Sequence, residues 1–441
     1  MRRKRETTSR FSSDTRPSCE EYLALADRNE MAITHLFEIH RNEDYLTGSR
    51  ELANLCGAGI WHGKNFNFAY GNPVKEGEIF LIGTLELGVI ETPGHTEESI
   101  LIVLKDREVS DKPYMVFCGD ALLAGDIGRT DFYGQERKAE MAGKIHDSIV
   151  KKILALGEGV IVCPAHGAGS LCGGDIADHS FTTAGYERAT NPLLALAREE
   201  FIARRVTESP YYPPYFRTME VLNANGPQLL DRIPRPGPLS IPEVVALRKS
   251  GCQIVDIRSP TSFAAGHIPH SLSIWRDGLP SFMGWFLDYN EPIVVVDDFN
   301  CGLKDVFCHF TRLGYDNLRG YLGGGFPSWS KAAQETDSFA TCTAQELKER
   351  QEKETVFVLD VRDIKNRRSV GHIPRSHHRY IGELTEHLDE IPRDLPVITY
   401  CDGGYKGSLA AGILHANRYR SVTNMLGGMT SWKNTGFWIE R

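Results

Sequence analysis

The sequence lacks any uncharged apolar run near the roughly 18 residues that a membrane helix needs, so it predicts no bilayer-spanning segment and no membrane partner. Cysteine is sparse, ten in 441 residues with no Cys-x-x-Cys pair, which excludes a disulfide scaffold. No secretory apolar core stands near the start, so the thiols read as reduced and the chain as cytoplasmic. A basic excess is also missing. Lys and Arg total 50 against 58 Asp and Glu, a net charge of −8, which argues against a nucleic-acid partner. Hydrophobic residues at 41% and charged residues at 24% exclude wholesale disorder, and the length predicts about three domains. Residues 1–13 are basic and rich in Ser and Thr, but Glu6 interrupts them; they read as a frayed tail, with a transit peptide as the alternative.

What the sequence has is a duplication. The strand-like run Gln253 to Asp256-Ile257-Arg258, followed by Gly266-His267-Ile268-Pro269, recurs as Val358 to Asp360-Val361-Arg362 and Gly371-His372-Ile373-Pro374. Leu322-Gly323-Gly324 with Trp329 recurs as Leu426-Gly427-Gly428 with Trp432. Spacings of 103 to 105 residues hold one register across three motifs, as a repeated domain does. Each copy reads as a β-branched strand ending in Asp-x-Arg, a loop with Gly-His-Ile-Pro, a second strand (292–296 or 396–400), a Gly-bearing turn and a helix. Apolar strands alternating with helices predict a parallel sheet covered on both faces. A Pro-rich stretch at 234–238 precedes the tandem, and a second break falls at 335–343. Before the tandem, helices are predicted at 20–29, 49–56 and 137–156. Strands are predicted at 32–37, 78–82, 87–91, 99–104, 114–117 and 160–163, together an α/β layered domain.

In that first region His40, His95, Asp120 and His166 all stand where strands end. Ligands at strand ends and in glycine-bearing loops can converge on one point above a sheet. Two imidazoles and one carboxylate with open positions form the facial arrangement of non-haem Fe(II) chemistry.

The pattern resembles the metallo-β-lactamase superfamily, whose signature is His-x-His-x-Asp-His after a strand, then a Gly-His turn, an aspartate and a final histidine. Here the signature stands as His40-Arg41-Asn42-Glu43-Asp44-Tyr45, so two histidine positions have become Asn42 and Tyr45. Both sites of a dinuclear zinc hydrolase lose a ligand, which weakens the glyoxalase-II-like reading, zinc-dependent thioester cleavage. The stretch from Phe117 through Asp120, Gly128, Arg129 and Asp131 to Phe132 is similar to the persulfide dioxygenases. That resemblance implies one mononuclear Fe(II) on His40, His95 and Asp120, with Asp44 and His166 orienting ligands or water from behind. Arg129 suits a substrate carboxylate, and an internal ion pair with Asp131 suits it equally. Cys172 could shuttle sulfur beside the metal, although a buried spectator thiol is the simpler reading. Such chains begin with further strands before the first helix. Those strands are missing here, so the start reads as abbreviated or as completed by another chain, which leaves a homo-oligomer open.

Cys401-Asp402-Gly403-Gly404-Tyr405-Lys406-Gly407-Ser408 follows a strand and precedes a helix predicted over 409–416. A thiol in a glycine-permitted loop at a helix N-terminus, with Lys406 close by, is set up to be anionic. The loop resembles the rhodanese active-site loop, and the Asp-x-Arg and Gly-His-Ile-Pro elements belong to the same family. The resemblance implies that Cys401 carries sulfane sulfur as a persulfide, with Lys406 beside it and Asp402 to Ser408 forming the loop around it. The matching position in copy one is Asp297, which cannot carry a persulfide, so that copy reads as inactive, with a spacing or docking role; Cys301 is a weak candidate for a displaced nucleophile.

The expected architecture is thus a metallo-β-lactamase-like αββα sandwich over 14–232, an inactive rhodanese-like domain over 239–334 and an active rhodanese domain over 340–441, each rhodanese with a parallel sheet. The expected function is iron-dependent oxidation of a low-molecular-weight persulfide, such as glutathione persulfide, to sulfite with O2. Sulfane-sulfur transfer among persulfide, thiosulfate and thiols through Cys401 accompanies it. The alternatives are the zinc thioester hydrolase and a sulfurtransferase whose first domain is a scaffold.

Overall fold

The structure, a computed structural model, describes residues 5–7, 19–168, 170, 172–230 and 234–441. The expected domain start at 14 and most of the basic tail lie outside the described residues. Arg5–Thr7, expected to fray, instead runs parallel to the strand Met31–Ile33. Two compact units form: Met1–Ile233 with Arg312–Gly314, and Pro234–Thr311 with Tyr315–Arg441. No helix among the described residues is long and apolar enough to cross a membrane.

The first unit is layered helix, sheet, sheet, helix. Its large mixed sheet has the order Thr182–Thr183, Ile161–Pro164, Met115–Gly119, Ile100–Asp106, Leu85–Glu91, Ile79–Ile82. The smaller sheet is parallel and runs His35–Glu38, Gly59–Gly63, Asn72–Val74. Alternation along the strands sorts residues between layers, because successive side chains point to opposite faces. Ile100 and Ile102 meet Phe37 between the sheets, whereas Leu101 and Val103 face outward onto Ile145, Ile149 and Phe201. Leu36, one residue from Phe37, packs outward with Leu52, Cys19 and Ala26, beneath the helices Cys19–Arg28 and Ser49–Cys56.

Two expectations change in detail. The strand predicted over 32–37 is broken at Thr34, because Met31–Ile33 and His35–Glu38 pair with different partners. The helix predicted over 137–156 is α-helical only over Lys138–Ser148. It widens through a π-turn at Ile149–Ile153, where both isoleucines are fully buried, and ends in a tighter turn at Leu154–Leu156.

The second unit holds two five-stranded sheets of one topology, every pairing parallel. Copy one has the order Pro238–Leu239, Leu318–Leu322, Ile293–Val296, Gln253–Asp256, Leu272–Ser273. Copy two has Ala340–Cys342, Val422–Met425, Val397–Tyr400, Phe357–Asp360, Ser376–His378. The central strands Ile293–Val296 and Val397–Tyr400 are buried at every position, as strands covered on both faces are. Trp329 and Trp432 fill equivalent places in the two cores. A short helix absent from the sequence reading, Pro260–Ala265 in one copy and Ile364–Val370 in the other, leads into each Gly-His-Ile-Pro segment.

Candidate functional site

The first unit gathers its titratable groups at one edge of the two sheets. His40 follows the strand His35–Glu38, His95 sits in the turn after Leu85–Glu91, and Asp120 follows Met115–Gly119 directly. Close approach is possible because Gly128 has no side chain: a Cβ there would lie 1.9 Å from the Asp120 carbonyl oxygen and 3.0 Å from His95 Nδ1. His40, His95 and Asp120 are 3%, 1% and 2% exposed.

Asp120 Oδ2 lies 3.6 Å from His40 Nε2 and 3.4 Å from His95 Nε2. His95 Nδ1 lies 2.9 Å from the Arg129 carbonyl, a bond that assigns its proton to Nδ1 and turns Nε2 inward as a lone pair. Both ring nitrogens of His40, Nε2 of His95 and Oδ2 of Asp120 are buried without a hydrogen bond. Atoms held about 2.1 Å from one ion and about 90–110° apart would stand about 3.0–3.4 Å from each other, close to the separations seen. Orphaned nitrogen and carboxylate donors converging at these distances fit a divalent metal ion.

Charge coupling is strong. Burial opposes ionisation of Asp120, but the imidazoles of His166 and His40 hold its carboxyl well below the usual range. Burial likewise disfavours a charged His95, and the Glu43 and Asp120 carboxylates outweigh it, raising that imidazole. His166 spans two carboxylates, with Nδ1 2.7 Å from Asp120 Oδ1 and Nε2 3.0 Å from Asp44 Oδ2. Asp44 and His166 thus stand behind the inner residues and hold one face of Asp120. Cys172 is fully buried and falls within the same cluster, its sulfur within 4.8 Å of donor atoms of His95 and Asp120 and of Asp44 and His166. Burial, with the Asp44 and Asp120 charges, pushes its thiol well up.

Two sequence positions resolve differently. The Arg129 guanidinium grips Asp131 through two bonds of 2.7 Å, donates to the Tyr211 carbonyl at 3.1 Å and is ringed by Phe132, Tyr212 and Phe216. The internal ion pair therefore forms in place of a free fork for substrate. Glu43 had no assigned role, since it occupies a variable position of the signature. Its side chain is nevertheless fully buried, with Oε2 3.5 Å from His95 Nε2. A charged residue between two altered signature positions was the only signal available.

In copy two Cys401 directly follows the strand Val397–Tyr400, and the Gly404 N–H donates to its Sγ at 3.1 Å. The backbone beneath is closely fitted: the Met429 N–H donates to the Cys401 carbonyl at 2.7 Å, and a Cβ on Gly428 (φ +52°) would lie 2.1 Å from that oxygen. The helix begins at Tyr405, four residues earlier than expected, so only 402–404 form loop, and Gly407 and Ser408 belong to its first turn. Lys406 makes its ion pair with Asp402 at 3.1 Å, not with the sulfur. Below the loop, buried Arg362 holds Asp360 at 2.7 and 2.9 Å and the Gly371 carbonyl at 2.8 Å. Copy one repeats the cradle around a carboxylate. The Phe326 N–H donates to the Asp297 carbonyl at 2.7 Å, and Asn300 Nδ2 caps Asp297 Oδ1 at 2.6 Å. Cys301 lies exposed in the following loop, its sulfur 3.5 Å from the Phe299 carbonyl.

Comparison with known proteins agrees with this division. Residues 38–166 match the Metallo-beta-lactamase superfamily, and residues 240–332 and 343–435 each match the Rhodanese-like domain. The mitochondrial persulfide dioxygenase of Bos taurus is 29% identical over 216 residues, 46% of this chain and 68% of that protein. A hydroxyacylglutathione hydrolase of Haemophilus influenzae is 31% identical over 120 residues, 27% of this chain and 46% of its own length. Among solved structures, a metallo-beta-lactamase from Staphylococcus aureus is 26% identical with a TM-score of 0.62, covering 70% of this chain and 89% of the other. The chain therefore joins a metallo-β-lactamase-superfamily domain, homologous to the persulfide dioxygenases, to two rhodanese-like domains.

Proposed function

We propose that this enzyme oxidises a low-molecular-weight persulfide with O2 at His40, His95 and Asp120, and moves sulfane sulfur through Cys401. Homology to persulfide dioxygenases together with two rhodanese-like domains supports the coupling of dioxygenase and sulfurtransferase chemistry in one chain. The observation that carries the first half is the set of buried donor atoms without hydrogen bonds on His40, His95 and Asp120. A mononuclear Fe(II) bound there would supply the one-electron chemistry with O2 that no side chain can. In balance, the terminal sulfur takes both O2 atoms and one water oxygen, leaving the thiol, sulfite and two protons. His166 holds Asp120 from behind, the Arg129 carbonyl fixes the His95 tautomer, and burial keeps bulk water from the centre.

At the second site the Cys401 thiolate attacks the outer sulfur of thiosulfate. A Cys401 S–S bond forms and sulfite leaves; an acceptor thiol then takes that sulfur and frees the cysteine. The Gly404 N–H donates to the sulfur, and Lys406 balances the Asp402 carboxylate beside it. Oxygen uptake by Fe(II)-loaded protein with glutathione persulfide tests the reading, with sulfite as the expected product. No uptake would sink the dioxygenase half, and zinc-dependent thioester cleavage in its place would establish the hydrolase. Cys401→Ser should abolish thiosulfate sulfurtransfer and leave oxygen uptake intact; loss of both would refute separate sites.

A further inference from the structure

Glu43 stands beside His40 and His95 with no part in the proposed chemistry. It lies in the loop after His35–Glu38, between Asn42 and Asp44. Its side chain is fully buried, and neither carboxylate oxygen makes a hydrogen bond. Donor atoms of Glu43, His40 and His95 lie within 4.8 Å of one another, and Oε2 is 3.5 Å from His95 Nε2. Burying an ionised carboxylate is expensive unless it is paired and hydrogen-bonded or binds a metal. The neighbours do not meet that cost. Arg41 feels the charge of Glu43, but its own ion pair is with Glu220 at 3.8 Å. His95 turns one nitrogen toward both Glu43 and Asp120, its other nitrogen being held by the Arg129 carbonyl. Glu43 thus shares the His40 and His95 donors, and Asp120 Oδ2 approaches the same two imidazoles, so a cation held between them would satisfy the buried carboxylate.

We propose that Glu43 is a further protein ligand to the divalent ion held by His40, His95 and Asp120. The inference rests on the reading of those three as a metal centre and deepens it. Two carboxylates cancel the charge of a divalent ion, where one leaves a net positive centre. A donor set richer in oxygen moves preference away from copper and zinc, toward iron and manganese. One coordination position fewer is then left for substrate and O2.

The test uses the full chain, stripped of metal and titrated with Mn(II) and, separately, Co(II). Glu43→Gln preserves size and removes the charge; His95→Ala removes a ligand of the underlying reading. Removing a group behind the ligands typically costs about 10–100-fold in metal affinity, so Glu43→Gln should weaken Mn(II) binding at least about tenfold. It should also change the visible Co(II) spectrum, and its metal-free form should melt above metal-free wild type because the buried charge is gone. Mn(II) affinity and a Co(II) spectrum equal to wild type, with His95→Ala losing the metal, would overturn the role of Glu43 alone. Wild-type affinity in His95→Ala would overturn the three-residue centre, and this inference with it.

Discussion

Asp256 and Asp360 occupy the same place in two copies of one domain, each holding the arginine two residues on, yet they titrate in opposite directions. Burial raises Asp360, but the Arg362 guanidinium and the Tyr400 hydroxyl, 2.7 Å away, outweigh it and lower the carboxyl below 3.8. Where Tyr400 stands in copy two, copy one has Val296, and burial outweighs Arg258 to leave Asp256 raised. The signs follow by linkage. A lowered carboxyl contributes stability above its unfolded value, lost as pH falls through the folded one; a raised carboxyl is relieved by the same protonation. Acidification below about pH 4 should therefore loosen copy two before copy one. Hydrogen exchange, corrected for intrinsic rates, should show Phe357–Asp360 losing protection ahead of Gln253–Asp256; the reverse order would contradict this account. The Asp-x-Arg pairs were plain in the sequence. Their opposite shifts were not, because they depend on how deeply each carboxyl is buried and on partners outside the motif, Tyr400 and Arg367 at Asp360 and the Asp298 charge at Asp256.

At the scale of elements, the helix Lys138–Ser148 supports the turn that carries His95. Ser148 Oγ donates to the Pro93 carbonyl at 2.9 Å, and Lys144 reaches Glu97 at 2.9 Å. Gly94 lies so close that a Cβ there would stand 2.3 Å from the Ile145 backbone nitrogen. Ile145 is fully buried beneath the large sheet. Ile145→Ala should cost about 2–5 kcal/mol in denaturant unfolding, by lost burial and the cavity left behind. It should also weaken metal binding, because the His95 turn rests on this helix; full metal affinity in the variant would show that the turn holds itself. The apolar spacing over 137–156 revealed the helix. Its π-turn and its service to a turn 50 residues earlier depend on packing that no local pattern encodes. The helix after Cys401 gives the converse case. Leu409, Ala410, Ala411, Gly412, Ile413 and Leu414 are all buried, an apolar surround that only a second covering layer permits.

For the molecule as a whole, that layer is copy one. Phe263 of copy one packs at Gly412, where a Cβ would come 3.1 Å from its ring, and Ser273 Oγ lies 3.1 Å from Ser408 Oγ. Trp275 meets Tyr405 at 5.1 Å between ring centroids. Trp285 lies over Gly382, where a Cβ would be 2.6 Å from the ring, and edge-on to Tyr380. Copy one, which carries Asp297 where copy two carries Cys401, thus forms part of the wall around copy two. Trp285→Ala should remove on the order of 2 kcal/mol from this contact. Calorimetry should then resolve the melting of the two copies; a single unchanged transition would show that Trp285 does not couple them.

By itself the sequence determined the repeat, the parallel sheets and the residue types able to do chemistry, His40, His95, Asp120 and Cys401 among them. Local spacing and motif order encode these, since strands, turns and loop nucleophiles depend mostly on neighbours along the chain. Only the tertiary structure decided that Arg129 is closed by Asp131, that Lys406 pairs with Asp402, and that Glu43 stands buried beside His40 and His95. Each of those outcomes turns on which side chains packing brings within a few ångströms, and on how completely burial removes the water that would otherwise satisfy a charge.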